Sequence, residues 1–213
     1  MYLFFDTETN GLPIDPKLSH VFVDNWPRLV SVAWVLKDIN KNTIEEKSFI
    51  IKPDGWTIPE NLTKDFHGIS TEMAEKEGTP IEEVLEAFVE ALNKTTYVVG
   101  HNIRFDRKIL AAEMYRNCFG KHYDELLYGT RYRDTMHVSR VYVEARSKKG
   151  GIKFPNLQEM YTKLFEKEFS NAHTALGDLN ATMESFYKLF DMGLVEEYYK
   201  THRDISENLN FSK

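Results

Sequence analysis

The chain has 213 residues and a mass of 24.9 kDa, with 42% hydrophobic residues and a formal net charge of -6. That length suits one globular unit with a full-sized core and a short appendage, and the acidic balance argues against a protein that coats long duplex nucleic acid through a broad basic face. A small nucleic-acid pocket stays open to it, because bound metal ions can supply the positive charge there. Cys118 is the single cysteine, which excludes an intramolecular disulfide or a cysteine metal cluster and suits a reducing cytoplasm; it reads as a small core residue on a helix. The start of the chain lacks the basic-then-apolar pattern of a secretory signal, and no apolar run approaches membrane-spanning length. The expected location is therefore cytoplasmic, without a membrane partner.

The first expected element is a strand, Tyr2-Leu3-Phe4-Phe5, running into Asp6-Thr7-Glu8-Thr9-Asn10-Gly11-Leu12-Pro13. Side chains alternate along a strand, so Asp6 and Glu8 project from one face where the apolar run stops. Two carboxylates held that close repel and raise each other's pKa unless a cation lies between them. A loop over 14–27 follows, then the strand-forming run Arg28 to Leu36, a turn over Asp38 to Asn42, and a returning strand from Thr43 to Ile51. The opening is a β-meander. Pro53-Asp54-Gly55 breaks it, and an irregular segment leads through Phe66-His67-Gly68-Ile69 to Thr71.

Thr79-Pro80-Ile81-Glu82 reads as a helix start, with Thr79 as N-cap and Glu82 closing a capping box. Ile81, Val84, Leu85, Phe88 and Leu92 then give one apolar stripe at helical spacing. Tyr97-Val98-Val99-Gly100 is a short strand, and Asn102 can cap a helix carrying Phe105, Asp106, Ile109, Leu110 and Met114. Arg131 to Thr135 is another expected strand end, leading into a helix through Val138 and Val141. Glu144 to Gly151 reads as a mobile basic loop, Pro155 to Phe165 as a helix, and Leu176 to Phe190 as a last helix ending near Gly193. A polar tail begins at Thr201. Meander followed by alternating helices and strands predicts an α/β fold, a mixed sheet with helices on its faces and the site at the strand ends.

Acidic residues at the ends of regular elements are the candidates for chemistry. Besides Asp6 and Glu8 these are Asp106, about one turn into its helix, and Asp178, which follows Ser170-Asn171-Ala172-His173-Thr174-Ala175-Leu176-Gly177. On one continuous helix His173 and Asp178 would stand about 140° apart, too far to share a target; the loop before the helix is the better place for His173. Singly, each acid also reads as a first-turn helix acid or a solvated residue.

Taken together, three segments resemble the DEDDh group of 3'→5' exonucleases in the DnaQ-like, ribonuclease H-like superfamily. The proofreading epsilon subunit of bacterial DNA polymerase III and the RNA-trimming nuclease RNase T belong to that group. The segments are Phe5-Asp6-Thr7-Glu8-Thr9-Asn10-Gly11-Leu12, Val99-Gly100-His101-Asn102-Ile103-Arg104-Phe105-Asp106, and His173-Thr174-Ala175-Leu176-Gly177-Asp178, in which the histidine lies five residues before the aspartate. Phe66-His67-Gly68-Ile69 and Arg133-Asp134-Thr135 resemble family segments that flank the substrate cleft. The resemblance implies a ribonuclease H-like mixed β-sheet flanked by helices, an exonuclease domain over 1–200, and a polar tail over 201–213.

It further implies Asp6, Glu8, Asp106 and Asp178 as metal-binding carboxylates and His173 as general base. Hard oxygen ligands suit Mg²⁺ or Mn²⁺, and two ions about 3.5–4 Å apart can clamp the attacking and leaving oxygens of an in-line displacement. The implied reaction releases 5'-mononucleotides from the 3' end of single-stranded DNA, as in proofreading or repair. Trimming of RNA is the alternative, since nothing visible reads the 2'-hydroxyl, and a non-catalytic nucleic-acid-binding module is a third. Thr9, Gly11 and Leu12 are implied to shape the pocket for the terminal nucleotide, with Gly11 allowing close backbone approach. His67, Asn102 and Phe105 are further substrate candidates, each with a structural reading beside it: packing or capping for His67, helix capping for Asn102, and core packing for Phe105. A DNA polymerase or repair factor is a possible partner.

Overall fold

The computed structural model describes residues 1–120, 122–129, 131–170 and 174–202. Its five-stranded sheet is built from β1 (Tyr2–Thr9), β2 (Leu29–Lys37), β3 (Thr43–Ile50), β4 (Tyr97–Gly100) and β5 (Arg131–Asp134), in the order β3-β2-β1-β4-β5. The first three strands form the expected antiparallel meander, and β4 and β5 join β1 in parallel. β1 thus occupies the centre. It pairs with β4 only from Tyr2 to Phe4, because β4 ends at Gly100 while β1 continues to Thr9. The stretch Asp6–Thr9 therefore has one edge without a strand partner.

Alternation along β1 divides the core into two layers. Leu3 and Phe5 face α2 (Ile81–Asn93) and α3 (Ile103–Arg116), joining Val32, Trp34, Phe88 and Ile109. Phe4 faces the opposite way, toward α4 (Thr135–Val143), α5 (Leu157–Phe165), α6 (Ala175–Asp191) and α7 (Leu194–Thr201), and packs with Val99, Leu179 and Phe186. Edge-on ring contacts fix both sides, Phe5–Phe88 at 5.2 Å and Phe4–Phe186 at 5.3 Å between centroids. The outcome is the ribonuclease H-like mixed sheet between helices.

Several expectations are corrected. Thr79 does not cap α2; Pro80 occupies the N-cap position without a side-chain bond. The backbone of Thr79 is committed to a bridge with Ile51, its N–H donating to the Ile50 carbonyl (2.8 Å) and its carbonyl accepting from Lys52 N–H (2.9 Å). Gly78 makes this approach possible, since a Cβ there would lie 2.6 Å from the Lys52 nitrogen. The supposedly irregular segment before it contains helical turns over 60–67 and α1 (Thr71–Glu77), whose first turn is capped by Ser70 Oγ accepting from Met73 N–H. Gly193 joins two helices rather than ending the last one, and α7 follows it. Cys118 is exposed in a left-handed conformation beyond α3, not in the core. The basic loop closes as a turn through an Arg146–Ile152 bridge, with the Arg146 guanidinium donating to the Gly150 carbonyl.

Candidate active site

β1 carries Asp6 and Glu8 on the face that bears Phe4, the same face against which α6 packs. The first turn of α6 contributes Asp178, and Thr174 fixes that turn through its hydroxyl, which accepts from Gly177 N–H at 3.1 Å. One carboxylate oxygen from each of Asp6, Glu8 and Asp178 lies within 4.8 Å of the others. Residues distant in the sequence thus meet at the free edge of β1. His173, the expected general base one residue before Thr174, lies outside the described residues.

Asp106 arrives from the other layer. It sits in the first turn of α3, only 4% exposed, and reaches the sheet through Thr7, whose side chain faces α3 because it alternates with Asp6 and Glu8. Asp106 Oδ1 accepts both the Thr7 N–H (3.1 Å) and the Thr7 hydroxyl (2.6 Å). The N–H is available because β4 stops short of Thr7. Asp106 consequently stands beside the three-carboxylate group, not inside it. It is nevertheless the strongest of the charged neighbours acting on Asp6.

Burial and mutual repulsion set the electrostatics. Burial, then Asp106, Asp178 and Glu8, hold the Asp6 pKa well above the usual carboxylate range. Burial, then Asp178 and Asp106, push Glu8 up to about 7. Burial likewise lifts Asp106 to about 7, against the pull of its hydrogen bonds from Thr7. A cluster whose members disfavour one another's charge is relieved by a cation. All the donors are carboxylate oxygens, which suit a hard divalent ion, so the residues present fit a metal.

The surrounding candidates separate by geometry. Leu12 is 83% exposed beyond the carboxylates, on a turn in which the Thr9 hydroxyl donates to the Gly11 carbonyl at 2.8 Å. Gly11 meets no crowding within the chain, the nearest atom to an added Cβ being Pro27 Cβ at 4.0 Å. His67 is buried, and its Nδ1 accepts from Ile69 N–H at 3.1 Å, closing the turn at Gly68. Phe105 is half-buried and packs on the core. Asn102 makes no side-chain cap; it holds a left-handed conformation with φ 60°, and its N–H donates to Asp134 Oδ1 at 3.0 Å.

The sequence reading missed the positioning role of two residues. Thr7 is one, hidden between two more conspicuous acids. Asp134, read only as part of a segment flanking the cleft, is the other: fully buried at the end of β5, it caps α4 through Met136 N–H and also anchors Asn102, so one carboxylate fixes the start of two helices. His101, by contrast, is committed to structure. Its Nε2 faces the Pro155 carbonyl at 3.1 Å and its Nδ1 the Thr135 hydroxyl at 3.0 Å, while burial lowers its pKa to about 4.

The exonuclease family model matches residues 3–186, nearly the whole of the sheet and its helices. The chain belongs to the exonuclease family. Among solved structures, this exonuclease-family chain superposes on E. coli exonuclease I in complex with a dT13 oligonucleotide with a TM-score of 0.70 and 25% identity, covering 95% of this chain and 44% of that one. An exonuclease I from Methylocaldum szegediense, described as moderately thermophilic, gives a TM-score of 0.72 at 22% identity, with coverages of 93% and 42%. An ExoI/SSB-Ct complex gives 0.72 at 23% identity, with coverages of 100% and 46%. The chain thus spans less than half the length of these relatives. No curated protein sequence matches it significantly. Among the described residues, no helix is long and apolar enough to cross a membrane.

Proposed function

We propose that this chain is a metal-dependent exonuclease domain, extending over about residues 1–200, that hydrolyses phosphodiester bonds at the 3' end of single-stranded DNA and releases 5'-mononucleotides. The observation that carries this reading is the convergence of Asp6, Glu8 and Asp178, with Asp106 held beside them, at the free edge of β1 in an exonuclease-family chain. DNA is favoured over RNA by the relative at 25% identity, a structure in complex with dT13.

Asp6, Glu8 and Asp178 would hold a divalent cation, and Asp106 beside them would complete the charge set for a second. Mg²⁺ or Mn²⁺ bound there supplies charge neutralisation at the phosphoryl oxygens and makes water more acidic. His173 accepts the proton of the attacking water at a ring nitrogen, and the leaving 3' oxygen departs in line with that attack. Exposed Leu12, on its turn with Thr9 and Gly11, packs against the terminal base. Phe105 and Asn102 border the path of the preceding nucleotides, and His67 holds the turn at Gly68.

The test is digestion of 3'- and 5'-labelled DNA and RNA oligonucleotides of one sequence in EDTA, Mg²⁺ and Mn²⁺. Expected is stepwise shortening of single-stranded DNA from the 3' end, absent in EDTA. Faster digestion of RNA assigns the domain to RNA trimming instead, and no shortening with either metal ends the enzyme reading. His173→Ala should lower turnover by about 10²–10⁴-fold while leaving metal affinity nearly intact.

A further inference from the structure

On the outer side of α3, a cavity of about 400 Å³ is lined by Lys17, Arg104, Arg107 and Lys108 together with Tyr128 and Tyr132, and no carboxylate contributes to its lining. In a chain of net charge -6 such a concentration of cations makes a local positive field that attracts an anion, tempered by Asp15 near Lys108 and Asp124 near His20. The cavity is a built one. Arg107 is buried, its guanidinium 4.5 Å from the Tyr132 ring centroid and donating to the Leu126 and Leu127 carbonyls. Lys108 donates to the Pro16 and Leu18 carbonyls at 2.8 and 3.3 Å, drawing the 14–20 loop onto the helix. Arg104 and Lys17 are exposed and make no ion pair among the described residues. His20 also lines the cavity, is only 5% exposed, and its Nε2 has no hydrogen-bond partner.

Arg104 and Lys108 also line a second cavity of about 230 Å³, shared with Asn102, Phe105 and Trp26. The two cavities therefore meet across one turn of α3. Arg104 and Lys108 lie about 160° around the axis from Asp106, on the far side of the helix from the carboxylates, and Asn102 and Phe105, which precede Asp106 in the chain, line the second cavity beside them.

We infer that this basic, tyrosine-lined cavity is an upstream subsite for single-stranded nucleic acid, taking backbone phosphate at Arg104 and Lys17 and a base on the exposed Tyr128 ring several nucleotides before the scissile bond. The inference rests on the exonuclease reading, but its test measures binding alone. Exposed Tyr128 beside these cations offers a ring face on which a base stacks, which favours a nucleic acid strand over an acidic peptide, although the same cations could also attract the peptide.

The experiment is fluorescence anisotropy in EDTA with 5'-labelled dT4 and dT12, comparing the intact chain with the doubly substituted Lys17→Ala, Arg104→Ala protein and with Tyr128→Ala. Both basic side chains are exposed, and an unchanged melting temperature verifies folding. Expected is dT12 binding at least tenfold tighter than dT4 in the intact chain, a preference that collapses in the double variant. The slope of log K against log salt should also shrink by about 0.7 for each phosphate that the variant no longer neutralises, and Tyr128→Ala should weaken dT12 with no change in that slope. Equal affinity of the intact chain for dT4 and dT12 overturns the subsite, as does an unaltered preference in the double variant. With a fluorescein-labelled oligoglutamate as a third probe, a double variant that loses only that peptide and keeps the dT12 preference overturns it in favour of a protein partner. Length-dependent binding by a protein that degrades nothing in Mg²⁺ or Mn²⁺ sinks the enzyme reading and keeps the subsite; digestion without length dependence does the reverse.

Discussion

Thr7→Val removes the hydroxyl that donates to Asp106 while keeping shape and backbone. The Oγ1 to Oδ1 distance is 2.6 Å, and the bond lies in buried surroundings. Hydrogen bonds to a charged group contribute about 1.5–3 kcal/mol, equivalent to about 10–150-fold in an equilibrium constant. The loss acts in one direction. Burial already lifts Asp106 to about 7, and the Thr7 bonds are what pull it down. Without the hydroxyl the carboxyl titrates higher still, so at neutral pH less of it is ionised and available to a cation. The expected result is that half-maximal cleavage of a DNA oligonucleotide near pH 7 needs about tenfold more Mg²⁺ or Mn²⁺. That gap should narrow toward pH 9, where Asp106 ionises without help. Thr7→Ser keeps the donor and should stay close to the parent. A Thr7→Val protein with the parental metal requirement at pH 7 would refute the reasoning, since Asp106 would then be held by something other than this contact.

In EDTA the same carboxylates should make the fold less stable as pH rises. Glu8 and Asp106 move from 4.5 and 3.8 to about 7 on folding, so the folded chain binds more protons than the unfolded one across that window and loses stability as pH climbs through it. Melting temperature in EDTA should be lower at pH 8 than at pH 5.5, with Mn²⁺ reversing the loss; a rise instead refutes the assignment. Leu12→Ala should change stability by less than about 0.5 kcal/mol, because the side chain is 83% exposed. It should raise KM for an oligonucleotide by about tenfold if that side chain is covered by the terminal base, as burial of a leucine is worth about 1.5–3 kcal/mol; an unchanged KM removes the wedge. Glu113 is 1% exposed and its Oε1 accepts from Arg28, Leu29 N–H and Arg116. Urea unfolding of Glu113→Ala should show a loss of about 3–5 kcal/mol, and a loss under about 1 kcal/mol would mean the arginines find other partners.

The fold was legible where one period dominated. β1, β2 and β3 read directly from apolar runs and turns, and α2 from its stripe of Val84, Leu85, Phe88 and Leu92, all buried as expected. α1 was invisible because Ala74 alone is buried within Thr71–Glu77, and a helix with one buried residue has no period to detect. Thr79 misled for a different reason. Its local signal for capping was overridden by a bridge to Ile51, a partner 28 positions earlier that no local pattern announces. Asn102 likewise occupies the cap position but not the cap role, because its backbone is left-handed rather than extended, anchored by its N–H donating to Asp134 from the neighbouring strand end.

The acids of the site were legible through their family segments, but not the way they assemble. Alternation in β1 places Asp6 and Glu8 with α6, and so with Asp178, while it turns Thr7 toward α3. Asp106 can therefore join the others only across the plane of the sheet. That crossing requires β1 to outrun β4, which exposes the Thr7 N–H, and it requires the start of α3 to stand just beyond the end of β4. Asp134 secures the second condition by holding the left-handed Asn102, the residue from which α3 departs. The short strand pairing, the left-handed residue and the buried cap thus form one device. Each would look like a local irregularity alone, and together they bring acids from opposite faces of a sheet to a single edge.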